Sequence, residues 1–496
     1  MTTTGKRIAR LPLRVPERGR QLANLASAVM GNNLVTAALG IVFWMLAARG
    51  LVPSEVGQLG AITSAMLLLG SLGAMGLGPL MISELPLLKP SHQRALFSVS
   101  IMAAGVVGMA LGLVFGVVAG PLGRTWEPIS AFTPAWLWLG VGSALTALFQ
   151  VFDQAMLVVG NPQLQVWRNM VASLVKIALL ALAFVLARVS LTVALAAWAL
   201  GLLSGAVMAI RSGFRHMPSA QRLTFATVAH IAREFGRASL AHQGVNYALY
   251  VSGIAMPPII AMVVTTEENG IYTTVRLASM VVFMLPYAVA LSVFAQLSGA
   301  AEHDPVYLRR VFWLAMGISL AVCALIAAAA PWVLWPFGGS WSEQGSAYLR
   351  MIVIAGPLLV IKDQYIMRTR LERQMTKLLW YVVFSALLEV GFTVVGGVRW
   401  GLGGALMGWN IALAIIAVVA IPRLFGPSQT TTGPAGDGGD AAELDRGSEP
   451  DRSRGDESGE SGPQVERFTI YNRILPGPGR RLEQRRIINA HHRGTT

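Results

Sequence analysis

Charge is scarce in this chain and cysteine is nearly missing. Only 13% of the 496 residues are Asp, Glu, Lys or Arg, about half the share of a soluble globular domain. A surface that poor in charge would not keep a chain of this size in solution, which excludes a soluble enzyme or binding module. The single Cys323 excludes an internal disulfide and removes any need for an oxidising compartment. It is expected to fill core. The histidines His491 and His492 stand alone near the end of the chain, and neighbouring histidines without a third ligand make no metal site. No phosphate-cradling glycine loop, metal cluster or nucleophilic triad occurs between the apolar stretches, so ATP hydrolysis, a covalent step and a cofactor are not expected.

Apolar residues are abundant instead. They make up 54% of the chain, with 52 glycines, which is membrane composition. A bilayer crossing needs roughly 20 mostly apolar residues. Stretches of that kind lie near 24–48, 59–82, 95–119, 134–158, 166–187, 190–210, 239–264, 273–297, 311–335, 346–367, 377–398 and 401–423. The expected fold is therefore all-α, a polytopic membrane protein of twelve transmembrane helices. The predicted organisation is a basic N-terminal segment 1–23, a first six-helix lobe 24–212, a linker 213–238, a second lobe 239–425 and a tail 426–496. The tail is acidic and poor in apolar residues before it turns basic, a composition that cannot support a packed core. Its arginines are candidates for anionic headgroups or for a cytoplasmic protein of the same glycan pathway.

Lys and Arg decide the orientation. With the N-terminus inside, the inside segments carry 21 of them and the outside loops only Arg49, Arg124, Arg188 and Arg399. That asymmetry places both termini in the cytoplasm. The net charge of +14 is mainly topogenic, and nucleic-acid binding is not inferred from it.

The chain also repeats itself. Shifted by 213 positions, Gly31 falls on Gly244, Asn33 on Asn246, Gly40 on Gly253, Glu55 on Glu268, Gly57 on Gly270, Ala65 on Ala278 and Leu72 on Leu285. A looser register lays Asp153-Gln154 over Asp363-Gln364. Six crossings per half is an even number, so the halves enter the membrane from the same side. They should be related by a pseudo-twofold axis along the membrane normal, with a substrate path between them and alternating access as the mechanism.

The run "FWMLAARGLVPSEVGQLGAITSAMLLLGSLGAMGLGPLMISELP", with "WRNMVASLVKIALL" opening the fifth stretch, resembles the polysaccharide flippase branch of the multidrug/oligosaccharidyl-lipid/polysaccharide exporter superfamily. The resemblance covers about residues 20 to 425 and rests on Glu55, Gly57, Arg168, Asn169 and Lys176. It implies translocation of a polyprenyl-pyrophosphate-linked glycan from the inner to the outer leaflet of a bacterial plasma membrane. Some members have fourteen helices, and twelve here argue against a lipid II flippase. The competing readings are a cation-coupled multidrug exporter of the same superfamily and a non-transporting membrane scaffold. A polyprenyl-using glycosyltransferase would show an acidic pair and an external domain, and neither is present.

Polar groups inside apolar stretches are the handles on mechanism, because intramembrane charge is costly and faces a bundle interior or a wet cleft. Lys176, about eight residues into its stretch and roughly 12 Å deep, and Glu389 occupy matching repeat positions. Lys176 is a candidate for the substrate pyrophosphate, Glu389 for a proton or cation; alternatively the two pair with each other. Asn33, Asn246 and Arg276 complete the expected substrate cavity, the amides serving either sugar hydroxyls or helix contacts. Asp153, Arg168, Asp363 and Arg368 lie near the cytoplasmic boundary as a candidate inner gate. Lys362 reads as an interfacial snorkelling side chain. Trp126, Trp136, Trp138, Trp332, Trp335 and Trp341 read as an aromatic belt.

Overall fold

The computed structural model describes residues 36–88, 90–159, 161, 163–216, 253–280, 282–284, 289, 305–372 and 374–425. Asn33, Asn246, the N-terminal segment, the linker and the tail lie outside the described residues.

The described chain is helical, with no strand among these residues. In order the helices are α1 (Thr36–Gly50), α2 (Pro53–Gly73), α3 (Leu77–Glu84), α4 (Pro90–Ala119), α5 (Pro134–Val159), α6 (Gln163–Val185) and α7 (Leu191–His216). The second half gives α8 (Gly253–Val263), α9 (Thr266–Ala278), α10 (Pro305–Ala328), α11 (Ala330–Leu334), α12 (Gly339–Val353), α13 (Ala355–Leu371) and α14 (Met375–Phe425). Among the described residues eight helices are long and apolar enough to cross a membrane, and each of the twelve expected stretches holds described helix. α12 and α13 together make one crossing of 33 residues. The long α14 is two crossings joined at a sharp turn, where Trp400 (φ −138°) and Gly401 (φ +61°) leave helical geometry. Gly401 belongs there because a positive φ strains any side chain bearing a Cβ.

Helix starts follow from local chemistry. Pro53 opens α2 at a position where its missing N–H costs nothing, and Glu55 turns back to accept the Val52 N–H at 3.3 Å. At α9 the box is reciprocal: Thr265 Oγ1 accepts from Glu268 N at 3.2 Å, and Glu268 Oε2 accepts from Thr265 N at 3.0 Å. The acids that the repeat brings into register are thus helix caps. Glu268 does more, since its other oxygen accepts the Leu402 N–H at 3.0 Å and ties this turn to the turn inside α14.

Proline leaves a debt in hydrocarbon that a neighbour must meet. Pro331 has no N–H to give the Ala327 carbonyl four residues back, and Arg350 Nε donates to that oxygen at 3.2 Å. Pro357 stands in the first turn of α13, where a missing N–H costs least.

The aromatic belt is narrower than the sequence suggests. Trp332 and Trp335 are exposed on the surface, whereas Trp126 and Trp341 are buried. Trp341 donates its indole N–H to the Ala48 carbonyl at 3.0 Å, and Trp136 donates to Leu113 O at 2.8 Å. These side chains close helix packing, where an indole N–H needs a carbonyl partner.

Candidate functional site: an outer seam and three buried charged groups

Among the described residues the two halves meet where α2 crosses α9, the end that the Lys and Arg distribution leads one to expect outside. The crossing has the symmetry of the repeat. A methyl group on Gly57 would stand 2.0 Å from the Thr266 carbonyl oxygen, and one on Gly270 would stand 2.3 Å from the Pro53 carbonyl oxygen. Thr266 is the position 213 residues after Pro53, so each glycine receives the backbone of the equivalent turn from the other half. Gly60 meets Thr273, its own counterpart in the same register, and the pseudo-twofold axis passes between them. Neither Gly57 nor Gly270 tolerates a side chain while the helices touch, which is why small residues mark such interfaces.

Polar contacts fix the seam. Asn269 Nδ2 donates to Gly57 O at 2.7 Å and Thr125 Oγ1 pairs with Thr266 Oγ1 at 2.9 Å. To the side, Arg49 Nε donates to Pro336 O at 3.0 Å, beside the Trp341–Ala48 bond. The doubled acid-x-Gly motif therefore has a physical role in each half: the acid caps a helix and the glycine lets that helix lie on its twin.

Arg276, one turn further into the membrane than Thr273, is half-buried. Its guanidinium makes no hydrogen bond to a described residue.

Among the described residues, three buried clusters hold intramembrane charge. Near the middle of α6, Lys176 is 9% exposed. Its ammonium lies 4.1 Å from the Trp198 ring centre and 5.6 Å from that of Phe43. Trp44 packs against both rings, at centroid distances of 5.9 Å from Phe43 and 6.1 Å from Trp198. A cation over aromatic faces is stabilised by their quadrupoles. No carboxylate among the described residues pairs with it. The backbone of α7 closes in at Gly201, where a methyl group would meet Lys176 Cβ at 2.8 Å.

In the second half the matching position, Glu389, is occupied on both oxygens. Lys362 Nζ and Ser385 Oγ reach Oε1 at 2.5 and 2.6 Å, and Trp409 Nε1 reaches Oε2 at 3.0 Å. Lys176 and Glu389 do not pair with each other; the partner of Glu389 comes from its own half. Lys362 is buried, so it does not snorkel. Trp409 stands in the last crossing of its half as Trp198 stands in the last crossing of the first. An offset of 211 aligns them, and that recurrence was the available signal for both.

The third cluster joins Asp153 on α5 to Arg168 on α6, NH2 to Oδ2 at 2.8 Å, with Gln165 Nε2 on the same oxygen at 3.2 Å. The guanidinium also stacks 3.8 Å from the Phe149 ring centre. The four residues expected at an inner gate therefore separate. Arg168 pairs with Asp153 within the first half, whereas Arg368 pairs with Glu372 at 2.8 Å and with the Leu424 carbonyl. Asp363 is half-buried and makes no hydrogen bond to a described residue. Its repeat counterpart has an arginine; here Tyr381 stands where Arg168 would fall. Removing one member of a buried pair strands the other's charge at a cost of about 3–5 kcal/mol. Arg168→Met is accordingly expected to lower the melting temperature of the purified protein well below that of the charge-removed double variant D153N/R168M, measured by intrinsic fluorescence.

No family model matches the chain, and no curated protein matches it. Solved structures do match. One is the inward-facing conformation of a multidrug resistance MATE family transporter of the MOP superfamily, at 15% identity and a TM-score of 0.62, covering 78% of this chain and 93% of that one. Another is the lipid II flippase MurJ in an inward closed conformation, at 13% identity and a TM-score of 0.61, covering 79% and 86%. At such identities the likeness is one of architecture: this multi-pass membrane chain has the fold of the MOP-superfamily transporters.

Proposed function

We propose that the protein flips a polyprenyl-linked oligosaccharide, or a related cell-envelope glycolipid, from the inner to the outer leaflet by alternating access. The single observation that carries this reading is Lys176, a buried ammonium with aromatic walls and no described carboxylate beside it. An uncompensated cation in a low-dielectric interior favours an anion and rejects another cation. A pyrophosphate-linked glycan supplies that anion, and its polyprenyl chain can stay in lipid while the headgroup crosses between the halves. Arg276, inward of the seam, adds a second positive group on the same route, and Asn33 and Asn246 are candidates for sugar hydroxyls. The α2–α9 seam supports rocking of two six-helix lobes: it closes the outer end through contacts that part without breaking either lobe.

A multidrug exporter is the second reading, favoured by the likeness to the MATE structure. A cationic solute would face Lys176 and Arg276 unfavourably. Depletion of the protein separates the two. The lipid-linked glycan is expected to accumulate in the inner leaflet, assayed by leaflet-selective labelling of the glycan; normal delivery to the outer leaflet would reject the flippase reading.

A further inference from the structure

The ion pair between Lys362 and Glu389 has no counterpart in the other half. In the offset of 210 that aligns Asp153 with Asp363, the position of Lys362 is held by Phe152, fully buried, while in the offset of 213 that holds for the next helix Glu389 falls on Lys176. The same scaffold therefore packs well with an aromatic ring in place of the lysine, and the fold does not demand a charge there. A buried pair is also a weak source of stability, because desolvating both ions offsets most of their attraction. Some other reason keeps an ammonium at this point.

The surroundings of Glu389 supply one. Its carboxylate receives a hydroxyl hydrogen bond on one oxygen and an indole N–H on the other, which leaves one unit of negative charge to be balanced. A carboxylate so placed in a transporter would ordinarily bind a monovalent cation or a proton from one side and release it to the other. Here the balancing charge is on the chain, 2.5 Å from Oε1. Asp363, Tyr365 and Tyr381 are the other titratable groups nearby among the described residues; the Tyr365 and Tyr381 rings lie 4.2 Å apart, tilted by 44°, and Asp363 makes no hydrogen bond to a described residue.

We propose that the Lys362 ammonium is a resident cation: it fills the place that a sodium ion or a proton would take at Glu389, so this carboxylate exchanges no ion during the transport cycle. The proposal refines the carrier reading above, yet its test is a binding measurement that does not depend on what is transported.

The experiment uses the full-length protein, purified in detergent, with melting temperature followed in choline, sodium, lithium, potassium or methylammonium chloride at equal ionic strength. The wild type is expected to melt at one temperature in all five salts. Lys362→Ala vacates the ammonium position, and a saturating small cation should raise its melting temperature by about 3 °C or more. Methylammonium should act because it restores the lost group. The response should vanish in K362A/E389Q and persist in K362A/D363N. A saturable cation shift in the wild type that E389Q removes would overturn the proposal, as would a response of K362A that follows Asp363 in place of Glu389. If K362A is recovered unfolded in every salt, the wild type against E389Q decides alone: a cation shift lost in E389Q refutes the resident cation, and identical melting of the wild type in all salts supports it.

Discussion

Leucine in place of Gly57 is expected to abolish transport while leaving the protein inserted and folded. The reason is geometric. A Cβ at this position would lie 2.0 Å from the backbone oxygen of Thr266, and a backbone atom of a packed helix cannot turn aside as a flexible side chain can. The helices must separate, which undoes the Asn269–Gly57 and Thr125–Thr266 hydrogen bonds. Overpacking of this kind costs about 1–3 kcal/mol, and 3 kcal/mol changes the ratio of seam-closed to seam-open molecules by about 100-fold. Gly270→Leu should do the same from the other half, whereas Gly40→Leu, where no atom lies within reach of a Cβ, should do little. The converse experiment closes the seam permanently. With Cys323 replaced by Ala, cysteines at positions 60 and 273 should form a disulfide on mild oxidation and stop transport until a reductant is added. Full transport by the oxidised, cross-linked protein would show that the seam does not need to open.

Lys176→Met carries the next largest effect. The substitution keeps the length and packing of the side chain against Trp198 and Phe43 and removes its charge. If the ammonium holds the substrate anion, transport should fall by about 100-fold, in line with charge-assisted contacts of about 1.5–3 kcal/mol. Membrane insertion and melting temperature should hold or improve, since a buried charge without a carboxylate partner is removed. Arg at this position keeps a cation over the rings and should retain part of the activity. Undiminished transport by the methionine variant would assign Lys176 to packing alone. Trp198→Leu, which removes the aromatic face 4.1 Å from the ammonium, should show a milder form of the same loss.

Both predictions draw on residues that the sequence exposes unequally. Gly57 and Gly270 are visible because a twofold contact forces the two halves to write the same small residue at the same distance from the same cap. Lys176 is visible because a charge inside an apolar stretch is rare. Lys362 was hidden by its place near the end of its apolar stretch, where a lysine can reach the headgroups; its burial goes with Glu389, 27 residues away, which no local pattern reports. The four candidate gate residues do not form one cluster, for a similar reason. Asp153 and Asp363 share a motif, but only Asp153 meets an arginine, and Tyr381 stands where the arginine that would have made the halves alike would fall. Trp126 and Trp341 read as belt residues because position along a helix is legible and the facing direction of a side chain is not.

By itself the sequence determined the solvent, the helices and the repeat: hydrocarbon selects apolar runs of crossing length, and a parallel duplication imposes a twofold relation whatever the details. The tertiary structure alone decided which charges meet. An ion pair in a membrane interior is set by helix rotation and depth to within an ångström or two, and those follow from packing across the whole bundle. For that reason the two halves, written on one plan, close over an aromatic-walled ammonium on one side and a neutralised carboxylate on the other.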